Sequence, residues 1–115
     1  MDYEIAPEQP YGVEIKMADG IFVKQMAIPK AGTIVPQHSH KYEHLSMLAR
    51  GSVRVLRDGE DAGLFYAPTG IHIPAGCKHT FCSLEDNTVI YCIHNIKTAE
   101  EVEILEEHHI VRGAA

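Results

Sequence analysis

Turn residues cut this chain into short apolar runs at roughly ten-residue spacing, and no helical periodicity appears before residue 98. Residues 13–17 are followed by Asp19-Gly20, a strong hairpin signal. Residues 21–28 are closed by Pro29-Lys30-Ala31-Gly32, and a third run, 33–40, is interrupted by Pro36. Runs 44–48 and 52–56 flank Gly51. Asp58-Gly59 makes another turn, with Gly63 just beyond it and a run at 64–67. Pro68, Gly70, Pro74 and Gly76 crowd a loop-rich stretch around Ile71-His72-Ile73. Runs 79–84 and 88–96 flank Glu85-Asp86-Asn87. Eight or nine short strands of this kind predict an all-β sandwich or barrel.

The 115 residues allow one domain. We divide it into an N-terminal arm (1–12) holding Pro7 and Pro10, a strand-rich body (13–97) and a C-terminal helix and tail (98–115). The helix is read from Thr98-Ala99-Glu100-Glu101, which has the form of a capping box, with Val102 and Leu105 as its apolar edge to about Glu107. A domain this small leaves much apolar surface uncovered, which predicts a homodimer. Net charge is −6, concentrated in the glutamates at 100–107. No basic stripe exists to neutralise phosphates, so nucleic acid is not expected as a partner. No apolar run approaches the ~18 residues of a membrane span, and the acidic start Met1-Asp2-Tyr3-Glu4 lacks the basic region of a signal peptide. Cys77, Cys82 and Cys92 form no Cys-x-x-Cys pair and read as reduced thiols, in keeping with a cytoplasmic protein.

Histidine is the outlier, with eight in the chain. In a strand, residues i and i+2 share a face, so His38 and His40 project side by side. His44 has the same parity, and His79 joins them only if the chain folds back on itself. His72 lies on the face opposite Ile71 and Ile73, toward pocket or solvent. His94 shares parity with Ile90 and Cys92 and reads as a core or rim histidine, while His108 and His109 close the acidic helix. Phe81 and Ser83 share parity with His79 and are candidates to line the same cavity, and Ser46 and Leu48 share parity with His44. Arg54 is a candidate to hold a carboxylate, and Tyr66 and Tyr91 are candidate phenolic donors.

Gly32, His38, His40, His44 and Gly51 stand at the spacing of a known motif, Gly-x5-His-x-His-x(3,4)-Glu-x6-Gly. Pro74-Ala75-Gly76-Cys77-Lys78-His79 matches a second, Pro-x-Gly-x-x-His. Over residues 13–96 the sequence resembles a small single-domain cupin of the cupin-2 type. The resemblance implies a cupin β-barrel (a jelly roll, or double-stranded β-helix) and a metal site of four histidines, His38, His40, His44 and His79. His44 stands at the glutamate position of the family, because Glu43 is one residue too early and of opposite parity. Pro68 replaces a glycine of the second motif, and Ser83 an asparagine.

Such a site implies one divalent transition metal per chain, whether iron, manganese, nickel, copper or zinc. Four neutral imidazoles leave its charge uncancelled and make it a strong Lewis acid. The expected function is a small metalloenzyme, an oxidoreductase of the dioxygenase type acting on a small oxygenated substrate. The alternatives are a metal-containing module that binds a sugar or organic acid, and a cupin isomerase or lyase. Metal occupancy is expected to fall below about pH 6 as the imidazoles protonate.

Overall fold

The computed structural model describes residues 11–36 and 39–95. Two hairpins follow directly from Asp-Gly pairs. Asp19 and Gly20 have φ of 48° and 76°, and Asp58 and Gly59 have 49° and 83°. Positive φ at both central residues is the signature of the type I′ turn, whose twist matches the strands it joins.

Nine strands result among the described residues: β1 (Gly12–Ala18), β2 (Ile21–Ile28), β3 (Ile34–Pro36), β4 (His44–Arg50), β5 (Ser52–Arg57), β6 (Glu60–Tyr66), β7 (Thr69–Ile73), β8 (His79–Ser83) and β9 (Thr88–Asn95). They form a five-stranded sheet in the order β1-β2-β9-β4-β7 and a four-stranded sheet in the order β3-β8-β5-β6. Every pairing is antiparallel. Burial alternates along β4, β8 and β9, so one face of each is turned to the core. That core contains Met26, Ile28, Val35, Leu48, Val53, Val55, Ile71, Ile73, Phe81 and Ile90, all nearly inaccessible to solvent.

Gly51 carries the chain from one sheet to the other, between β4 and β5, at φ 85°. A Cβ there would lie 2.3 Å from Thr88 Oγ1 and 3.0 Å from Thr88 Cα. Both the conformation and the space demand glycine. Ser83 works as a knot. Its hydroxyl donates to the Lys30 carbonyl (2.8 Å) and accepts from the Thr33 N–H (2.9 Å), tying the β2–β3 turn to β8.

The structure departs from the sequence reading in three places. Of the run expected at 33–40, β3 covers Ile34–Pro36, and His40 stands on a loop and not on a strand. The strand expected at 64–67 begins already at Glu60, because a bulge at Val55/Leu56, with Gly63 at φ 113°, absorbs the extra residue. Ser83 occupies the end of β8 away from His79 and serves the turn, not a shared cavity. His38, the N-terminal arm through residue 10 and the helix expected from residue 98 lie outside the described residues.

Candidate functional site

Strand register gathers the histidines at one end of the sandwich. His44 is the first residue of β4 and His79 the first of β8, while His94 is the penultimate residue of β9. The ladder pairs Leu45 with Ile93 and Ser46 with Cys92, which sets His44 beside His94 on the inner face. The loop leading to β4 delivers His40, and its carbonyl accepts a 2.7 Å hydrogen bond from the Gly76 N–H of the β7–β8 loop. The two motif halves are thus sewn together by backbone.

His40, His44, His79 and His94 are all buried. Ring centroids lie 5.4 Å apart for His40–His44 and 5.5 Å for His44–His79. His38, the remaining histidine of the expected set, has no described position. His94, read from sequence as a core or rim residue, lies within the cluster: its ring stacks on His44 at 4.4 Å and sits 5.3 Å from His40. Tyr42 is a further member that the sequence reading missed. It stacks on His40 at 5.0 Å, and its hydroxyl is 3.1 Å from His94 Nδ1. A hydrogen-bonded pair of rings, Tyr42 and His94, therefore lies flat against His40 and His44 respectively.

The other candidates point elsewhere. His72 Nε2 and Glu43 Oε2 are hydrogen-bonded at 2.9 Å on the surface, so the parity that separates Glu43 from His44 sends it outside. Arg54 pairs with Asp61 at the surface, Tyr66 is exposed, and Tyr91 donates to Gln25 Oε1 at 2.8 Å. Cys77, Cys82 and Cys92 form no disulfide, and Cys92 lies 3.4 Å from the Ser46 hydroxyl. A groove of about 290 Å³ at the opposite end, lined by Ile28, Arg50 and Thr88 among others, holds no histidine.

Burial dominates the electrostatics. It pushes His44 from 6.5 down to about 3, helped by the neighbouring His79 and His40. It pushes His79 down to about 4. The Cys77 carbonyl opposes that shift without reaching hydrogen-bond geometry, while His40 and Arg57 add to it. Both rings are neutral at pH 7, the state in which imidazole binds a metal. In the metal-free protein, water exclusion keeps protons off these two rings well below pH 6.

His44 Nδ1 and both ring nitrogens of His79 are buried without a hydrogen-bond partner among the described residues. An unpaired polar group in the interior costs about 1–3 kcal/mol, and native proteins rarely leave one unexplained. Among the described residues no three His, Cys, Asp or Glu side chains are already arranged to hold an ion. The donor set nevertheless fits one chemically. It is nitrogen-rich, and His44 and His79 offer neutral, buried nitrogens without a partner among the described residues, the kind of donor that first-row ions take.

No family model and no curated protein matches this sequence. Solved structures do. The cupin 2 conserved barrel domain protein of Salinispora arenicola superposes with a TM-score of 0.65 at 16% identity, over 95% of this chain and 100% of that one. The chain has the cupin fold. KdgF from Halomonas sp. also gives 0.65, at 12% identity, covering 84% of this chain and 87% of its own. The DMSP lyase DddQ from Ruegeria pomeroyi gives 0.62 at 16% identity, over 78% of this chain and 50% of that one.

Proposed function

We propose that this cupin is a small metalloenzyme that binds one divalent transition metal through His38, His40, His44 and His79. The observation that carries the reading is the set of buried, neutral, partnerless nitrogens on His44 and His79 beside His40. A bound ion supplies Lewis acidity toward a small oxygenated substrate. The protein's own part is to keep the His44 and His79 imidazoles unprotonated, exclude water and fix ring orientation. Tyr42 and His94 do the last by stacking and by their mutual hydrogen bond.

Within that frame an oxidoreductase of the dioxygenase type is the first reading, since an all-imidazole site suits iron and leaves open positions. The Tyr42–His94 couple favours a second reading, an isomerase or lyase, because a phenol hydrogen-bonded to an imidazole can move a proton. One structural neighbour is itself described as a lyase. Metal analysis of protein purified without a histidine tag tests the site. Oxygen uptake by iron- and manganese-loaded protein with diketones and phenols separates the readings: turnover without oxygen consumption selects the second. Metal bound tightly with no substrate consumed selects a binding module.

We further propose a homodimer in the cytoplasm that acts on a small molecule and not on nucleic acid or membrane. No helix among the described residues is long and apolar enough to cross a membrane.

A further inference from the structure

We infer that Arg57 makes the edge of the imidazole cluster a carboxylate-binding site, so that the small molecule taken by this cupin is an organic anion. The inference deepens the proposed function and rests on its placing of the substrate at the imidazole cluster. Arg57 ends β5, where Val53, Val55 and Arg57 alternate on the inner face. Its register partner on β8 is His79, and directly paired residues of antiparallel strands share a face. Its charge is felt at His79.

The guanidinium has no acidic partner among the described residues. Glu60, opposite it on β6, makes no ion pair with it, and Asp58 accepts instead from the Lys78 N–H at 3.0 Å. Its hydrogen bond among the described residues is a long one, from Nη2 to the His72 carbonyl at 3.3 Å, across to the other sheet. Its Nε is buried with nothing to donate to among the described residues. Arg54, three residues earlier on the outer face, has its carboxylate in Asp61. An inward-facing cation with an unfilled buried donor, next to neutral imidazoles, is the arrangement an incoming anion completes. A singly charged carboxylate fits better than a phosphate dianion, because Arg57 is the one cation that strand register places beside His79 among the described residues.

Calorimetric titration of malonate, dimethyl malonate and inorganic phosphate into metal-free and zinc-loaded protein tests this. Malonate is expected to bind both forms, at least tenfold more weakly to Arg57→Gln, and several-fold more weakly to Arg57→Lys, which keeps the charge but not the fork. Arg54→Gln should bind as wild type, and the uncharged ester should not bind. Should Arg57→Gln fail to fold, Arg57→Lys carries the comparison. Undiminished malonate binding by Arg57→Gln or Arg57→Lys, no binding by wild type, or tighter binding of phosphate or ester would overturn the inference and leave Arg57 a strut between β5 and β7. Arg57-dependent malonate binding by a protein that takes up no zinc would overturn the metal reading alone. Zinc binding by a protein whose malonate affinity ignores Arg57 would overturn this inference alone.

Discussion

His44 and Glu43 are adjacent in sequence, yet one is buried among imidazoles and the other pairs with His72 at the surface. Period-two alternation along the strand makes this separation legible from the order of residues alone. The same alternation, applied to Val53, Val55 and Arg57, favours Arg57 over Arg54 as the inward cation. His94 was not legible in this way, because its place depends on β9 lying beside β4, a pairing no local pattern specifies. The assignment predicts that His40→Ala, His44→Ala or His79→Ala lowers bound metal several-fold by elemental analysis, while His72→Ala does not. Equal loss from all four would contradict it. The depressed values at His44 and His79 also carry a sign. The unfolded chain takes up protons near 6.5, whereas the folded metal-free protein resists them until about 3 and about 4. Between these limits the unfolded state binds more protons, so stability conferred above pH 6.5 drains away as pH falls toward 4. Thermal midpoints of the metal-free protein should drop across that window, and His79→Phe should flatten the drop.

At the scale of elements, the strand pattern was readable because each turn announces itself chemically: Asp19-Gly20 and Asp58-Gly59 adopt the positive φ that hairpins need. Less readable was where β3 ends. The His-x-His spacing past Pro36 reads as a continuing strand, but β3 is Ile34–Pro36 and His40 reaches the site from a loop held by the Gly76 N–H. A loop residue needs bracing that a strand residue does not, and the Tyr42–His94 pair supplies it. Tyr42→Phe keeps the stacked ring and removes the hydrogen bond. It should weaken zinc binding by about tenfold, the usual effect of losing a group that orients a ligand. The visible spectrum of the cobalt(II) form should change with it, while the metal-free melting temperature stays within a few degrees. Unchanged affinity and spectrum would show that the stack alone orients the rings. The turn at Gly51 gives a purely structural prediction. Gly51→Ala meets Thr88 in a conformation alanine resists, and should cost about 2 kcal/mol or more in denaturant unfolding.

For the molecule as a whole, the five-stranded sheet has apolar residues on both faces. Its inner face packs the core, as expected. A solvated outer face would ordinarily be polar, giving strands that alternate apolar and polar residues. Here Leu45 and Met47 on β4 are exposed by 49% and 39%, and Ile21 on β2 by 50%. Register places Leu45 beside Ile93 and Ile93 beside Val23, with Met47 beside Tyr91 in the next row. The side chains therefore form a continuous apolar surface, where scattered single residues would need no explanation. The outermost rows end in Glu14 and Lys16 on β1, so a polar rim borders it. An apolar centre with a charged border is the anatomy of a surface that another protein covers. The occupant we propose is a second copy, because two such faces related by a twofold axis are complementary without any further partner. A stable pair needs roughly 800 Å² from each side. Light scattering should accordingly give twice the chain mass at micromolar concentration. Met47→Lys, which sets like charges against each other across the axis, should halve it, and should leave metal content unchanged, because Met47 lies on the face of β4 opposite His44. A monomeric wild type would remove the proposed partner, whereas loss of metal on dissociation would mean that pairing holds the histidine end of the barrel in place.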